Sequence, residues 1–261
     1  MDEISETAMT TLNLLHTTWR LWYSRAGVFF LIMGIPIAAL GILSVIVVYV
    51  ICPHPQDMPL REVYEKMGIL QKLSVVLVFL ASLGIQSGAL AASAFATQEI
   101  WHRRSVSVSQ AIRSVRRKQL RLFWMVMLVC MFTGPLGLIA FPFLAFAAAP
   151  GFPVAILENA PALAAIERGN SLGKGRQGRI AVLVALWLGL GGAAVIGWVS
   201  LLSILETRFG RPWFLRPLPL VGLWVIMLIP QLYMIALTLN YLDQSKHKSE
   251  IGSASSNSVE G

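Results

Sequence analysis

Five long stretches of the chain contain no Asp, Glu, Lys, Arg or His: Ala26 to Pro53, Leu73 to Gln98, Leu122 to Leu157, Ile180 to Leu205 and Pro217 to Leu242. A membrane-crossing α-helix needs about 20 apolar residues at a rise of about 1.5 Å each. Four of the stretches, at 26 to 28 residues, each predict one tilted span. The third is 36 residues long and is interrupted by Gly134-Pro135-x-Gly137, Pro142, Pro150 and Pro153. Proline removes a helical hydrogen bond and crowds the preceding turn, so this stretch reads either as one broken span or as two short ones.

A second pattern fills the intervals. Ile4, Ala8, Leu12, Leu15, Trp19 and Trp22 recur at steps of three and four, with Glu6, Thr10, Asn13, Thr17 and Arg20 between them. That spacing predicts an amphipathic helix over residues 1–25 lying in the membrane interface. Val108, Ile112 and Val115 share one face of the segment from Ser105 to Lys118, and Ala162, Leu163 and Ile166 share one face of the segment from Asn159 to Arg168. These predict two more interfacial helices, at about 100–119 and 159–172, so the chain reads as an interfacial helix followed by two spans, three times over. Residues 243–261 are Ser-rich with almost no large apolar side chains, which predicts a disordered tail.

Basic residues decide how many spans there are, because cytoplasmic loops are enriched in Lys and Arg. With six spans, fifteen of the 21 Lys and Arg fall on one side and six on the other; with five the division is twelve to nine. The expected fold is therefore all-α, a polytopic helical bundle of six transmembrane helices with three interfacial helices. The spans lie at about 26–52, 73–96, 121–139, 141–158, 180–205 and 217–241, and both termini are cytoplasmic. The acidic start and the lack of an apolar run before Ala26 argue against a cleaved signal peptide.

Composition agrees: 56% of residues are hydrophobic and 13% charged, against about 25% charged in soluble domains. The net charge of +8 comes largely from the interfacial segments. Arg103, Arg104, Arg113, Arg116, Arg117, Lys118, Arg121, Lys174, Arg176 and Arg179 are candidate contacts to anionic lipid headgroups, where each juxtamembrane cation contributes about 1 kcal/mol. Nucleic acid could use the same charges, but no soluble domain or stacking platform accompanies them.

Residues for catalysis are sparse. Asp occurs only at positions 2, 57 and 243, and His16, His54, His102 and His247 are scattered. Carboxylate pairs, metal-ligand clusters and nucleophile elbows need converging ligands or fixed spacings that are not seen, so no catalytic residue, cofactor or metal is expected. Cys52 and Cys130 lie too far apart in this topology for a disulfide. Gly84, Gly88, Ala92 and Ala96, like Gly189, Ala193 and Gly197, repeat every fourth residue, which suits close helix packing within the bundle or between copies. Gln86 and Gln231 are the polar residues a solute pathway would use, so a component of a small-solute or lipid transporter is the alternative reading.

From Pro153 the chain reads Pro-Val-Ala-Ile-Leu-Glu158, then Ala165-Ile-Glu-Arg168, then Leu172-Gly-Lys174-Gly175. This resembles the bacterial six-span proteins described as the membrane domain of glycerophosphoryl diester phosphodiesterase. In them a proline-led span ends in Glu, followed by an interfacial helix with an Arg-Ser pair and a Leu-x-Lys-Gly ending. Gly169 stands at the Ser position here. The resemblance is best from Gln98 to Leu205 and implies a protein of the bacterial cytoplasmic membrane. The family's phosphodiesterase activity resides in a separate barrel domain with no counterpart among these residues, so the expected function is non-enzymatic. That function is the organisation or binding of anionic lipid or of a partner, either a second copy or another membrane protein. Glu158 is expected to pair with Arg168, or with a basic residue of the Arg113 to Arg121 segment, and so to hold an interfacial helix against the bundle.

Overall fold

The computed structural model describes residues 10–46, 68–116, 118, 120–125, 148–174, 177–209 and 218–257. Their regular structure is α-helical throughout. Eight helices run in the order α1 (Thr11–Ser24), α2 (Ala26–Ile46), α3 (Ile69–Trp101), α4 (Val108–Val115), α5 (Gly151–Leu157), α6 (Ala162–Leu172), α7 (Gln177–Phe209) and α8 (Leu218–Asn257), and residues 120–125 are also helical. Residues 126–147, which hold most of the predicted span 121–139 and the start of that at 141–158, together with Cys52, Cys130, Arg117 and Arg176, lie outside the described residues.

Local chemistry sets the helix ends. The Thr10 side chain accepts from the Asn13 backbone N–H at 3.2 Å, and Ser107 does the same for Gln110 at 3.2 Å. Each satisfies a donor that the first turn leaves unpaired. After α3 the chain reverses through Arg103 at φ 60, and between α5 and α6 through Asn159 at φ 58. Asn tolerates this left-handed conformation, and Pro161 next bars continuation of the helix.

The centre of the bundle is α8, which packs against α7, α3, α1, α2 and α5. Small residues of α3 (Ala89, Ala91, Ala92, Ala96) let Phe29, Ile32 and Met33 of α2 and Ile235, Leu237 and Leu239 of α8 close around it. Ala92 and Ala96 of the fourfold stripe are fully buried, as close helix approach requires. The matching stripe on α7 behaves differently. A Cβ added at Gly189 or Gly197 would meet nothing within 4 Å, so among the described residues that face receives no neighbour.

Among the described residues two helices are long and apolar enough to cross a membrane, α3 with 33 residues and α7 with 29, Gln177–Leu205. Only 27% of the most apolar part of α3, and 17% of that of α7, is buried inside the protein. Val182, Leu186, Leu190, Val195, Ile196, Val199 and Ile204 stand exposed along α7.

Three elements depart from the sequence pattern. On α1 the buried positions are Leu14, Thr18 and Leu21, while Leu12 and Trp19 of the predicted apolar face are exposed. The helix docks on α8 and α2, so a protein surface and not only lipid selects its buried stripe. The segment predicted as one interfacial helix at 100–119 is divided: α3 runs on to Trp101, residues 104–107 are non-helical, and α4 covers eight residues. Finally, α8 continues to Asn257, where a disordered tail is expected from residue 243. No proline lies between residues 243 and 257, and Asp243–His247 and Lys246–Glu250 stand at the four-residue spacing that supports a helix.

Candidate functional site

Polar groups from separate helices meet at the end of the bundle where α5, α6, the start of α7 and the polar part of α8 come together. Arg179, in the first turn of α7, donates from Nη1 to Asp243 Oδ2 at 3.1 Å and to Asn240 Oδ1 at 3.3 Å. The two charged side chains are 12% and 16% exposed, so water screens this pair weakly. Arg179 is a predicted headgroup contact, and the geometry corrects that role: its guanidinium is turned inward onto α8.

Between Asn240 and Asp243 on α8, the Tyr241 hydroxyl donates to Glu158 Oε1 at 2.9 Å. Arg168 Nε lies 3.5 Å from Glu158 Oε2, with the two side chains 57% and 33% exposed. The structure thus brings Glu158 and Arg168 together and adds Tyr241, which sequence reasoning missed. At this exposure the ion pair contributes about 0–1 kcal/mol. Tyr241 lies 83 residues from Glu158, too far along the chain for any local pattern to reveal it.

α5 and α6 reach this position through close backbone contact. A Cβ on Gly169 would lie 2.5 Å from the Pro150 carbonyl carbon and oxygen, and one on Gly151 would lie 2.9 Å from the Ile166 Cα. The glycine at position 169 is therefore a steric requirement of this packing.

The other basic candidates divide by exposure. Arg103, Arg104, Arg113, Arg116 and Lys174 are exposed, while Lys118 and Arg121 are half-buried. Arg104 lies 3.4 Å from Glu99. α4 presents Arg113 outward while Ala111 and Val115 are buried against the bundle, so its cationic face and its anchoring face are separate.

Gln231, a candidate for a polar pathway, is fully buried and fully engaged. Its Nε2 donates to the Phe29 carbonyl at 2.7 Å and to Ser93 Oγ at 3.1 Å, and its Oε1 accepts from Trp22 Nε1 at 3.4 Å. One amide thereby ties α1, α2, α3 and α8 together. Gln86 is half-buried, two turns before Ser93 on α3, and takes no part in this network. Replacing Gln231 with Leu removes three hydrogen bonds at similar volume. At about 0.6 kcal/mol each, the expected loss is about 2 kcal/mol, read as a lower melting temperature in detergent, with Gln231→Asn giving intermediate loss.

Among the described residues no group of three or more His, Cys, Asp or Glu is placed to hold a metal ion. No protein-family model, curated protein or solved structure matches the chain.

Proposed function

We propose that the chain is a non-enzymatic protein of the bacterial cytoplasmic membrane that crosses it six times with both termini cytoplasmic, and whose basic face binds anionic lipid headgroups. The observation that carries this reading is the exposure of the apolar surfaces of α3 and α7. A water-soluble protein rarely exposes contiguous apolar patches beyond a few hundred Å², whereas hydrocarbon is their natural solvent. The contacts Arg179–Asp243 and Glu158–Tyr241 support the six-span arrangement, because they join the segment from Glu158 to Arg179 to the stretch of α8 just past its uncharged run, as a shared cytoplasmic side requires. The motif from Pro153 to Gly175 supports placing the chain beside the membrane domains it resembles. The charged groups buried at that end pair with one another and hold helices together. The exposed Arg103, Arg104, Arg113 and Arg116 are left to face the headgroups.

Anionic lipid should therefore raise the melting temperature of the detergent-solubilised protein, and zwitterionic lipid should not. The difference should shrink in high salt, since the screening length falls to about 3 Å at 1 M, and when Arg103, Arg104, Arg113 and Arg116 are all changed to Gln. Equal stabilisation by phosphatidylglycerol and phosphatidylcholine would overturn the reading.

A further inference from the structure

A groove of about 310 Å³ lies between α1, α7 and α8, at the lower end of the range of about 300–1,000 Å³ found for ligand sites. Leu15 of α1, Leu183 and Leu190 of α7 and Ile229 of α8 line it, and Trp187 and Tyr233 form a stacked wall with ring centroids 5.0 Å apart. Its walls offer almost nothing to a polar solute. Thr18 donates its hydroxyl to the Leu14 carbonyl at 2.8 Å, and the Tyr233 hydroxyl is buried without a hydrogen-bond partner among the described residues.

The groove has a polar end. Arg179 precedes Leu183 by one turn of α7, and Asn240 follows Ala236 by one turn of α8, so the Arg179–Asn240–Asp243 cluster lies one turn beyond the apolar lining. From Leu183 to Leu190 the lining runs about 10 Å along the helix and continues onto the exposed apolar face of α7. An apolar slot with charged and amide groups one turn beyond its end matches an amphiphile with its head toward the cytoplasmic side and its tail toward the bilayer centre.

We infer that this groove holds one acyl chain of a membrane phospholipid as a fixed site, with the head on the side of the bundle where the Arg179–Asn240–Asp243 cluster lies. The inference rests on the membrane reading above and goes beyond headgroup binding by assigning a place to a tail.

The test is lipid retention by the full chain, purified from membranes in mild detergent, washed extensively and weighed by native mass spectrometry. The wild type should keep about one phospholipid per protomer. Leu186→Trp, at the rim of the groove, and Ala236→Phe, within it, should each lower occupancy by about tenfold. Ile196→Trp, on the exposed face outside the groove, should retain lipid like the wild type. Leu186 is 40% exposed, so this variant has room for a larger side chain and remains informative where Ala236→Phe fails to fold. Detergent alone in the wild type, or undiminished lipid in a folded Leu186→Trp protein, would overturn the inference. Release of the chain from membranes by alkaline carbonate would instead overturn the membrane reading itself.

Discussion

Replacing Gly169 with alanine should lower the melting temperature of the detergent-solubilised protein by about 6–12 °C, because overpacking at a rigid contact costs up to about 3 kcal/mol and each kcal/mol shifts the melting point of a chain this size by about 2–4 °C. The added methyl would lie 2.5 Å from the carbonyl of Pro150 and 2.6 Å from the N of Gly151. Those atoms belong to backbone and cannot rotate away, so relief requires α5 and α6 to separate. Separation would carry Arg168 away from Glu158, and Glu158 from Tyr241. Gly178→Ala is the control, since a Cβ there meets nothing within 4 Å and alanine favours the helix by about 0.5–1 kcal/mol; it should melt at or slightly above the wild-type temperature. Differential scanning fluorimetry of the two variants checks both outcomes, and a Gly169→Ala protein that melts like the wild type would refute the close approach.

The second large effect is expected at Asp243. Changing it to Asn removes the carboxylate charge that faces the guanidinium of Arg179, 12% exposed. Removing one member of a buried ion pair costs about 3–5 kcal/mol, and the residual exposure places this case near the lower bound. The double variant Arg179→Met with Asp243→Leu should recover most of the loss, because neither charge is then stranded. A double-mutant cycle on melting temperature measures the coupling. Additive losses from the two single changes would show that the pair does not couple α7 to α8.

How much of this could be seen in the sequence depended on whether the determining contact was local. The positions of α2, α3, α7 and α8 follow from uncharged runs, since exclusion of charge is a property of each segment alone. The end of α3 did not: Thr97-Gln-Glu-Ile-Trp101 contains polar residues but no helix breaker, so the helix continues past the apolar boundary to the reversal at Arg103. On α1 the apolar pattern indicates a helix and part of its packed face, with Leu15 and Trp22 against the core but Leu12 and Trp19 exposed. Leu14, Thr18 and Leu21 also stand four and three residues apart, but Thr18 satisfies its hydroxyl within its own helix and so is buried where a hydropathy pattern reads it as polar.

The candidate site was legible only in part. Glu158 and Arg168 are ten residues apart and share one helix–turn unit, so their pairing could be anticipated. Asp243 lies 64 residues from Arg179, and nothing near either residue distinguishes an inward-turned arginine from a lipid-facing one. Gly169 appeared only as a departure from a motif, and its meaning required the position of Pro150. Gln231 stands out in the sequence as a polar residue within an apolar run. Whether it served a pathway or a joint depended on Trp22, Phe29 and Ser93, which only the packed helices bring to it.

The six-span arrangement is tested most directly by comparing the accessibility of positions 109 and 171 across the membrane. In a protein with Cys52 and Cys130 replaced by alanine, Ser109→Cys and Ser171→Cys are each probed in intact cells with a membrane-impermeant maleimide, then again after permeabilisation. With two spans between them, both positions face the cytoplasm: neither should label in intact cells and both should label once the membrane is opened, while Gln56→Cys labels from outside. Labelling of Ser171→Cys but not Ser109→Cys in intact cells would mean a single crossing between them, and would contradict the shared cytoplasmic face on which the lipid-binding account depends.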